Sequence, residues 1–343
     1  MVVRKMKIKM TKTRSILLVV IIVLIVFRLL LPYIVLNYVN KKLAKLSEYY
    51  GHVEDIDISL YRGAYIIKDI KLEKREAKDS VPFFESPAID ISVQWKAIFK
   101  GRIVGEIYVK DPVLNFVKGK HKDENVKQDT ADFKNLIKDL IPLTVNHFEI
   151  DNGEVHYIDP YCLPKVDVFM KELNVYANNL SNVTDKSKAL PSNLEINGKA
   201  YDGALKLYAN FDGLNKVPTF DLNAEVTNVD LVLLNDFLRA YGNFDVKKGG
   251  FGLYAEFAAK EGNFGGYVKP LLNDMDIVQW NKDEGNFKQI LWETIVAGGA
   301  AILTNKNTGE LGTKIPINGK FDDPDINIWK AISYVLIPLA YIN

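Results

Sequence analysis

The sequence predicts a mainly β protein: an N-terminal transmembrane helix, then a long antiparallel β meander with a few short helices. Three observations predict it. An apolar run near the N-terminus has the length of a membrane span. Short alternating segments, punctuated by Gly, Asp-Pro and Asn-Gly, fill most of the remaining chain, and stretches with helical spacing are few. With 343 residues, 48% of them hydrophobic, the chain can hold two or three ordinary domains or one extended β domain. The net charge of +1 and the lack of a basic, aromatic-interleaved patch give no footing for nucleic-acid binding. The single cysteine, Cys162, excludes an internal disulfide framework and a cysteine-based zinc site.

The N-terminal segment comes first. Six Lys/Arg and no acid occupy residues 1–14, and residues 15–36 are apolar apart from Arg28 and Pro32. About 20 apolar residues in a helix cross a bilayer core of about 30 Å, so Ile16, Leu17, Val20, Ile22, Leu24, Phe27 and Leu30 are expected to face lipid. A cleaved signal peptide would have a shorter apolar core and a small-residue cleavage site, which this segment lacks. Helical spacing continues beyond the run. The expected organisation is therefore a basic tail (1–14), an uncleaved signal anchor (15–36), a juxtamembrane helix (37–50) and a β-rich domain (51–343). Six cations precede the span and Lys41, Lys42 and Lys45 follow it, which favours a cytoplasmic N-terminus. In a bacterium the bulk of the chain would then lie in the periplasm.

Strands follow in order. Residues 52–74 read as two strands with Arg62-Gly63 at the turn. Residues 88–99 and 101–119 continue the series, the second broken at Asp111-Pro112. In residues 147–160, Asn152-Gly153 sits between alternating runs and predicts a hairpin with a type I′ turn. Further strands are expected in 166–177, 193–213, 219–231, 249–272 and 312–328. Helices are expected in 130–142, in 229–242 with Asp230 near its start and Gly242 at its end, in 285–305, and at the C-terminus. Residues 118–130 and 178–192 read as polar loops. A dozen strands against so few short helices leaves apolar sheet faces uncovered. Those faces must pack on each other as a sandwich or curl into a groove. The strand 203–211 poses the choice most clearly, because Leu205, Leu207, Ala209 and Phe211 alternate with Lys206, Tyr208 and Asn210.

Catalytic patterns find little support in the same residues. The four histidines form no H-E-x-x-H pattern and no helical i,i+4 pair. His147 and His156, flanking the expected Asn152-Gly153 hairpin, are the best-placed pair, and an ordinary polar strand face accounts for them more simply. There is no nucleophile elbow, phosphate loop or dinucleotide fingerprint. The glycine-rich 261–266 reads as a turn, and the acids of 273–285 miss the spacing of a calcium loop. No catalytic residue, cofactor or metal is expected.

Several of these segments, in this order behind an N-terminal anchor, resemble the AsmA-like family of bacterial envelope proteins. The resemblance lies in the opening hairpin DIDISLYRGAYIIKDIKLE (55–73), the strand-Pro-strand element VKDPVLNFV (109–117), the segment VNHFEIDNGEVHYID (145–159), and the C-terminal stretches 229–277 and 313–332. It implies a single inner-membrane helix and an elongated, curved, groove- or taco-like antiparallel sheet with short capping helices. It also implies lipid handling, with the sheet binding or passing phospholipid acyl chains, and partners in the inner membrane and among envelope proteins. Leu205, Leu207, Ala209 and Phe211 would then line the groove. A dozen strands at about 4.8 Å each reach roughly 60 Å, which suits a shuttle or accessory factor better than a complete bridge across a periplasm. The alternative is a ligand-free assembly factor built on a closed β-sandwich.

Overall fold

The computed structural model describes residues 12–46, 49–75, 81–93, 104–119, 144–180, 189–212, 217–242, 244–279, 302–304 and 311–321. The expected helices at 130–142 and at the C-terminus, residues 1–11 of the basic tail and most of the two polar loops lie outside the described residues.

The described residues open with one continuous helix, α1 (Lys12–Leu43), which carries Pro32 in its interior. Span and juxtamembrane helix are therefore one element. It ends before the expected boundary, since Tyr49 and Tyr50 already open the first strand. Its stretch Ser15–Leu43 is long and apolar enough to cross a membrane. Ile16, Leu17, Val20, Ile22, Leu24, Phe27 and Leu30 are all exposed on it.

Among the described residues fifteen strands follow, and all belong to one sheet. They are β1 (Tyr49–Ser59), β2 (Ala64–Lys74), β3 (Phe84–Val93), β4 (Val104–Lys110), β5 (Val113–Val117), β6 (Thr144–Asp159), β7 (Val166–Asn178) and β8 (Ser192–Ala200). After them come β9 (Gly203–Phe211), β10 (Phe220–Asp230), β11 (Phe244–Lys260), β12 (Asn263–Gln279), β13 (Ile302–Thr304), β14 (Leu311–Thr313) and β15 (Ile315–Lys320). The spatial order is β1-β2-β3-β4-β6-β7-β8-β9-β10-β11-β12-β14-β13, with β5 beside β3 and β6, and β15 beside β12. The strand β13 takes residues 302–304 of the helix expected at 285–305, and the rest of that segment lies outside the described residues. Between β10 and β11 a short 3-10 turn (Leu231–Leu234) leads into α2 (Asn235–Gly242). Asp230 caps it as the sequence suggests, its carboxylate accepting from the Val232 N–H at 2.9 Å.

The fold is mainly β, and most neighbours are antiparallel. The exceptions are β4 and β5, which both pair with β6 in parallel. Parallel neighbours need a crossover connection rather than a tight turn, and the chain between β5 and β6 provides its length.

The expected Asn152-Gly153 hairpin does not form. β6 runs straight through these residues as one strand. Asn152 has φ 53°, and the pairing with β7 shifts between Ile150↔Val175 and Gly153↔Leu173, the mark of a bulge. The bulge changes the parity of the strand, so Phe148 and Ile150 before it and Gly153, Val155 and Tyr157 after it share a face.

The bulge belongs to a longer crease. Asp69, Asp111 and Asn152 all have positive φ, each one residue past the cross-strand row Lys68–Ala88–Lys110–Asp151. Glu172 (φ 52°) continues the crease in β7. The Asn152 side-chain amide donates to Asp111 Oδ1 at 2.7 Å, and the Asp111 N–H donates to the Asp151 carbonyl at 2.8 Å. Asp and Asn tolerate this left-handed geometry better than branched residues do, which explains their use along the fold line.

Candidate functional site

The sheet presents two chemically opposite faces, and cross-strand register shows how far each extends. One row begins with Ile56, Ile67, Ile89 and Val109 on β1 to β4. It passes through Ile150, Val175, Ile196 and Leu207 on β6 to β9. It ends with Ala224, Ala255, Val268 and Ile315 on β10, β11, β12 and β15. Every position in this row is aliphatic. The row beside it passes from Phe148 through Ala177, Leu194, Ala209, Leu222 and Phe257, again without a polar side chain. Strand alternation puts both rows on one face.

Leu205, Leu207, Ala209 and Phe211 lie on this face of β9, as expected from the sequence. Leu205 is half-buried, while Leu207, Ala209 and Phe211 are 8%, 0% and 0% exposed. Leu207, Ala209 and Phe211 join a cluster with Leu194, Leu222 and Phe257, so most of the surface comes from strands other than β9. Among the described residues no second sheet faces them, because all fifteen strands belong to the same one. The face draws together at its β10–β15 end. Phe220 on β10 and Phe321 just past β15 are separated by three strand spacings, about 14 Å in a flat sheet, yet their ring centroids are 6.5 Å apart. Side chains on the inside of a curl converge in this way and lose exposure.

The opposite face is polar from β3 to β12. Here Asp90, Tyr108, Glu149, Tyr176, Glu195 and Tyr208 follow one another across adjacent strands, and Asn223, Glu256 and Tyr267 complete the row. The Tyr267 hydroxyl donates to Glu256 at 2.8 Å. A hydrogen bond to Glu149 pushes the Tyr108 pKa up to about 12. A shallow depression over Glu195, Lys206, Tyr208, Glu225, Glu256 and Tyr267 lies on this side. The tyrosines stand as spacers between carboxylates that would otherwise be direct cross-strand neighbours and repel.

The two histidines singled out by sequence are not brought together. They occupy the same strand, nine residues and about 30 Å apart, because the turn between them is a bulge. Each is held by polar neighbours: His147 lies 2.6 Å from Asn178 Oδ1 and 3.2 Å from Glu149, and His156 lies 2.8 Å from Asp167 and 3.3 Å from Glu154. Among the described residues no group of three His, Cys, Asp or Glu side chains is arranged to hold a metal ion. Burial and the nearby Asp159 charge raise the Cys162 pKa, which favours the protonated thiol.

One buried polar network does occur on the inner side. Asp159 is 1% exposed and accepts from the Lys118 ammonium at 2.7 Å, the Tyr161 N–H at 3.0 Å and the Tyr241 hydroxyl. Burial alone would raise this carboxyl's pKa. Hydrogen bonds from Lys118, Tyr241 and Tyr161 outweigh it and hold the pKa below the usual value. The network ties α2 to the end of β6.

Sequence reasoning missed how α1 meets the sheet. The Asn40 side chain pairs with the edge strand as a peptide group would. It donates to the Val53 carbonyl at 2.9 Å and accepts from the Val53 N–H at 2.8 Å. Arg28, which had read as an interruption of the apolar run, donates to the Ile58 carbonyl. Arg75 donates to the Ala44 and Leu46 carbonyls at 2.6 and 3.0 Å, holding the turn that follows the helix. Polar residues inside or just after an apolar helix were the available signal.

No protein-family model matches the chain, and no curated protein matches it.

Proposed function

We propose that this is a membrane-anchored, non-enzymatic protein of the bacterial envelope, AsmA-like in kind, whose curved sheet binds or passes phospholipid acyl chains along its apolar face. The observation that carries the reading is the pair of apolar rows running without a polar interruption across one curved sheet. A globular core needs apolar side chains from two layers, whereas this face has no second sheet among the described residues. Acyl chains would lie across the strands, each buried methylene contributing about 0.8 kcal/mol, and headgroups would remain at the open edge. The main path of thirteen strands corresponds to about 60 Å, a length suited to a shuttle or an accessory factor. α1 would anchor the chain in the inner membrane with its N-terminus in the cytoplasm and the sheet in the periplasm, as its flanking charges favour. Chemistry plays no part in this reading, which uses only exclusion of water.

A second reading has its own support. Ala209, Phe211, Leu222 and Phe257 are fully buried by the protein itself, as they would be in a ligand-free assembly factor that acts through protein contacts. Native mass spectrometry of the full chain, released from detergent, separates the two. Bound phospholipid in defined stoichiometry supports the first, and lipid-free protein supports the second.

A further inference from the structure

Three polar contacts fix the direction of β1 against α1. Asn40 clasps Val53, and twelve residues earlier in the helix Arg28 donates to the carbonyl of Ile58, five residues later in the strand. Twelve helical residues span about 18 Å and five strand residues about 17 Å, so the two elements run alongside each other in opposite directions. The strand therefore descends along the helix toward its N-terminus. The turn at residues 60–63, closed by the Arg62 N–H on the Ser59 carbonyl at 3.1 Å, lies level with Arg28 or below it.

The depth of that turn follows from the helix. Leu29, Leu30, Tyr33 and Ile34 are all exposed on the side of α1 away from the sheet. Water around four such residues would be costly, so the hydrocarbon reaches at least to this level. From Ser15 to Ile34 the helix rises about 29 Å, against a bilayer core of about 30 Å. Tyr33, Tyr38, Lys41 and Lys42 then fall where interfacial aromatic and basic residues are found. Arg28 lies about 9 Å below Ile34, deep enough to need the partner that Ile58 supplies. The tip of the β1–β2 hairpin carries Leu60, half exposed, and Tyr61, which is 85% exposed.

We propose that the tip of the β1–β2 hairpin, Leu60 and Tyr61, is a second membrane-contact element, seated in the same leaflet as the C-terminal half of α1. The inference rests on α1 being the membrane span, and it stands whether or not the sheet carries lipid. Its consequence for the sheet is direct. The apolar face then begins within that leaflet, level with Arg28, with Ile58, Tyr65 and Ile91 of β1, β2 and β3 as its first row.

The test uses the full chain with Cys162→Ser and single cysteines introduced by Tyr61→Cys, Val26→Cys and Tyr208→Cys, each carrying an environment-sensitive fluorophore. All three replaced side chains are exposed, so folding is not at stake. The protein is reconstituted into phosphatidylethanolamine–phosphatidylglycerol vesicles and exposed to aqueous iodide and to spin-labelled lipids. Protection from iodide at position 61 close to that at position 26, with quenching by shallow spin labels, is the expected result. Iodide access at position 61 equal to that at position 208, with position 26 protected, overturns the proposal and leaves the anchor intact. Iodide access at position 26 removes the anchor and the proposal together.

Discussion

Gly266 on β12 faces Phe257 on β11, and the pair tests how tightly the apolar face is built. A Cβ at Gly266 would lie 2.0 Å from the Glu256 carbonyl oxygen, 2.5 Å from Phe257 Cδ1 and 2.8 Å from Phe257 Cα. Two of these three atoms are main chain, so rotating the ring cannot relieve the overlap, and β11 and β12 must move apart. Overpacking of a well-filled core costs typically about 1–3 kcal/mol, and Gly266→Ala is placed at the upper end, about 3 kcal/mol, because the closest clash is with backbone. Phe257→Ala alone removes a fully buried ring and is expected to cost about 3–5 kcal/mol. The informative variant is the double one, assayed by urea unfolding of the full chain in detergent and followed by far-UV circular dichroism. The added methyl at position 266 still meets the Glu256 carbonyl after the ring is gone. Gly266→Ala should therefore remain destabilising in the Phe257→Ala background by about 2 kcal/mol or more. If the double variant is as stable as Phe257→Ala alone, the ring was the whole obstacle and the reasoning about backbone separation is wrong.

Other consequences are equally direct. Asn40→Leu removes both hydrogen bonds to Val53 and leaves a buried edge amide unpaired, a loss of about 1–3 kcal/mol. Amide hydrogen exchange at Val53 should accelerate while exchange in β9 is unchanged. Asn152→Val forces a β-branched residue into the left-handed region at the crease and should lower the urea midpoint by the equivalent of about 1–2 kcal/mol, whereas Asn152→Gly should cost less than Asn152→Val. The depressed pKa of Asp159 gives stability that is complete above its unfolded value of about 3.9 and is lost as pH falls through the folded value. Between about pH 5 and pH 3 the unfolding midpoint of the natural chain should therefore fall more steeply than that of Asp159→Asn.

Much of this fold is legible in the sequence where local signals and register agree. The β1–β2 turn with Gly63 at φ 63°, the β11–β12 turn at Glu261-Gly262 and the Asp230 cap are all set by residues within a few positions of one another. The error at Asn152-Gly153 has a physical origin. That dipeptide supplies positive φ cheaply, and positive φ serves a tight turn and a strand bulge equally well. What decides is pairing with β5 and β7, which for β5 comes from residues 41 positions away. The parallel pairing of β4 with β6 is hidden for the same reason. Leu205, Leu207, Ala209 and Phe211 could be picked out because β9 alternates cleanly, but the width of the apolar face appears only when cross-strand rows are read across the whole sheet. The Asn40 and Arg28 contacts with β1 were illegible as contacts, since an apolar helix shows only that a polar residue interrupts it and not which carbonyl receives it.

The central claim, that acyl chains occupy the apolar face, is tested most directly by site-specific photocrosslinking in bacterial cells expressing the full chain. A photoreactive residue replacing Leu205 or Leu207 faces the apolar rows, and one replacing Lys206 or Tyr208 occupies the same strand and faces the other way. The account predicts phospholipid adducts at positions 205 and 207 and none at 206 and 208. Adducts at all four positions, or at none while the probes crosslink protein, would contradict it.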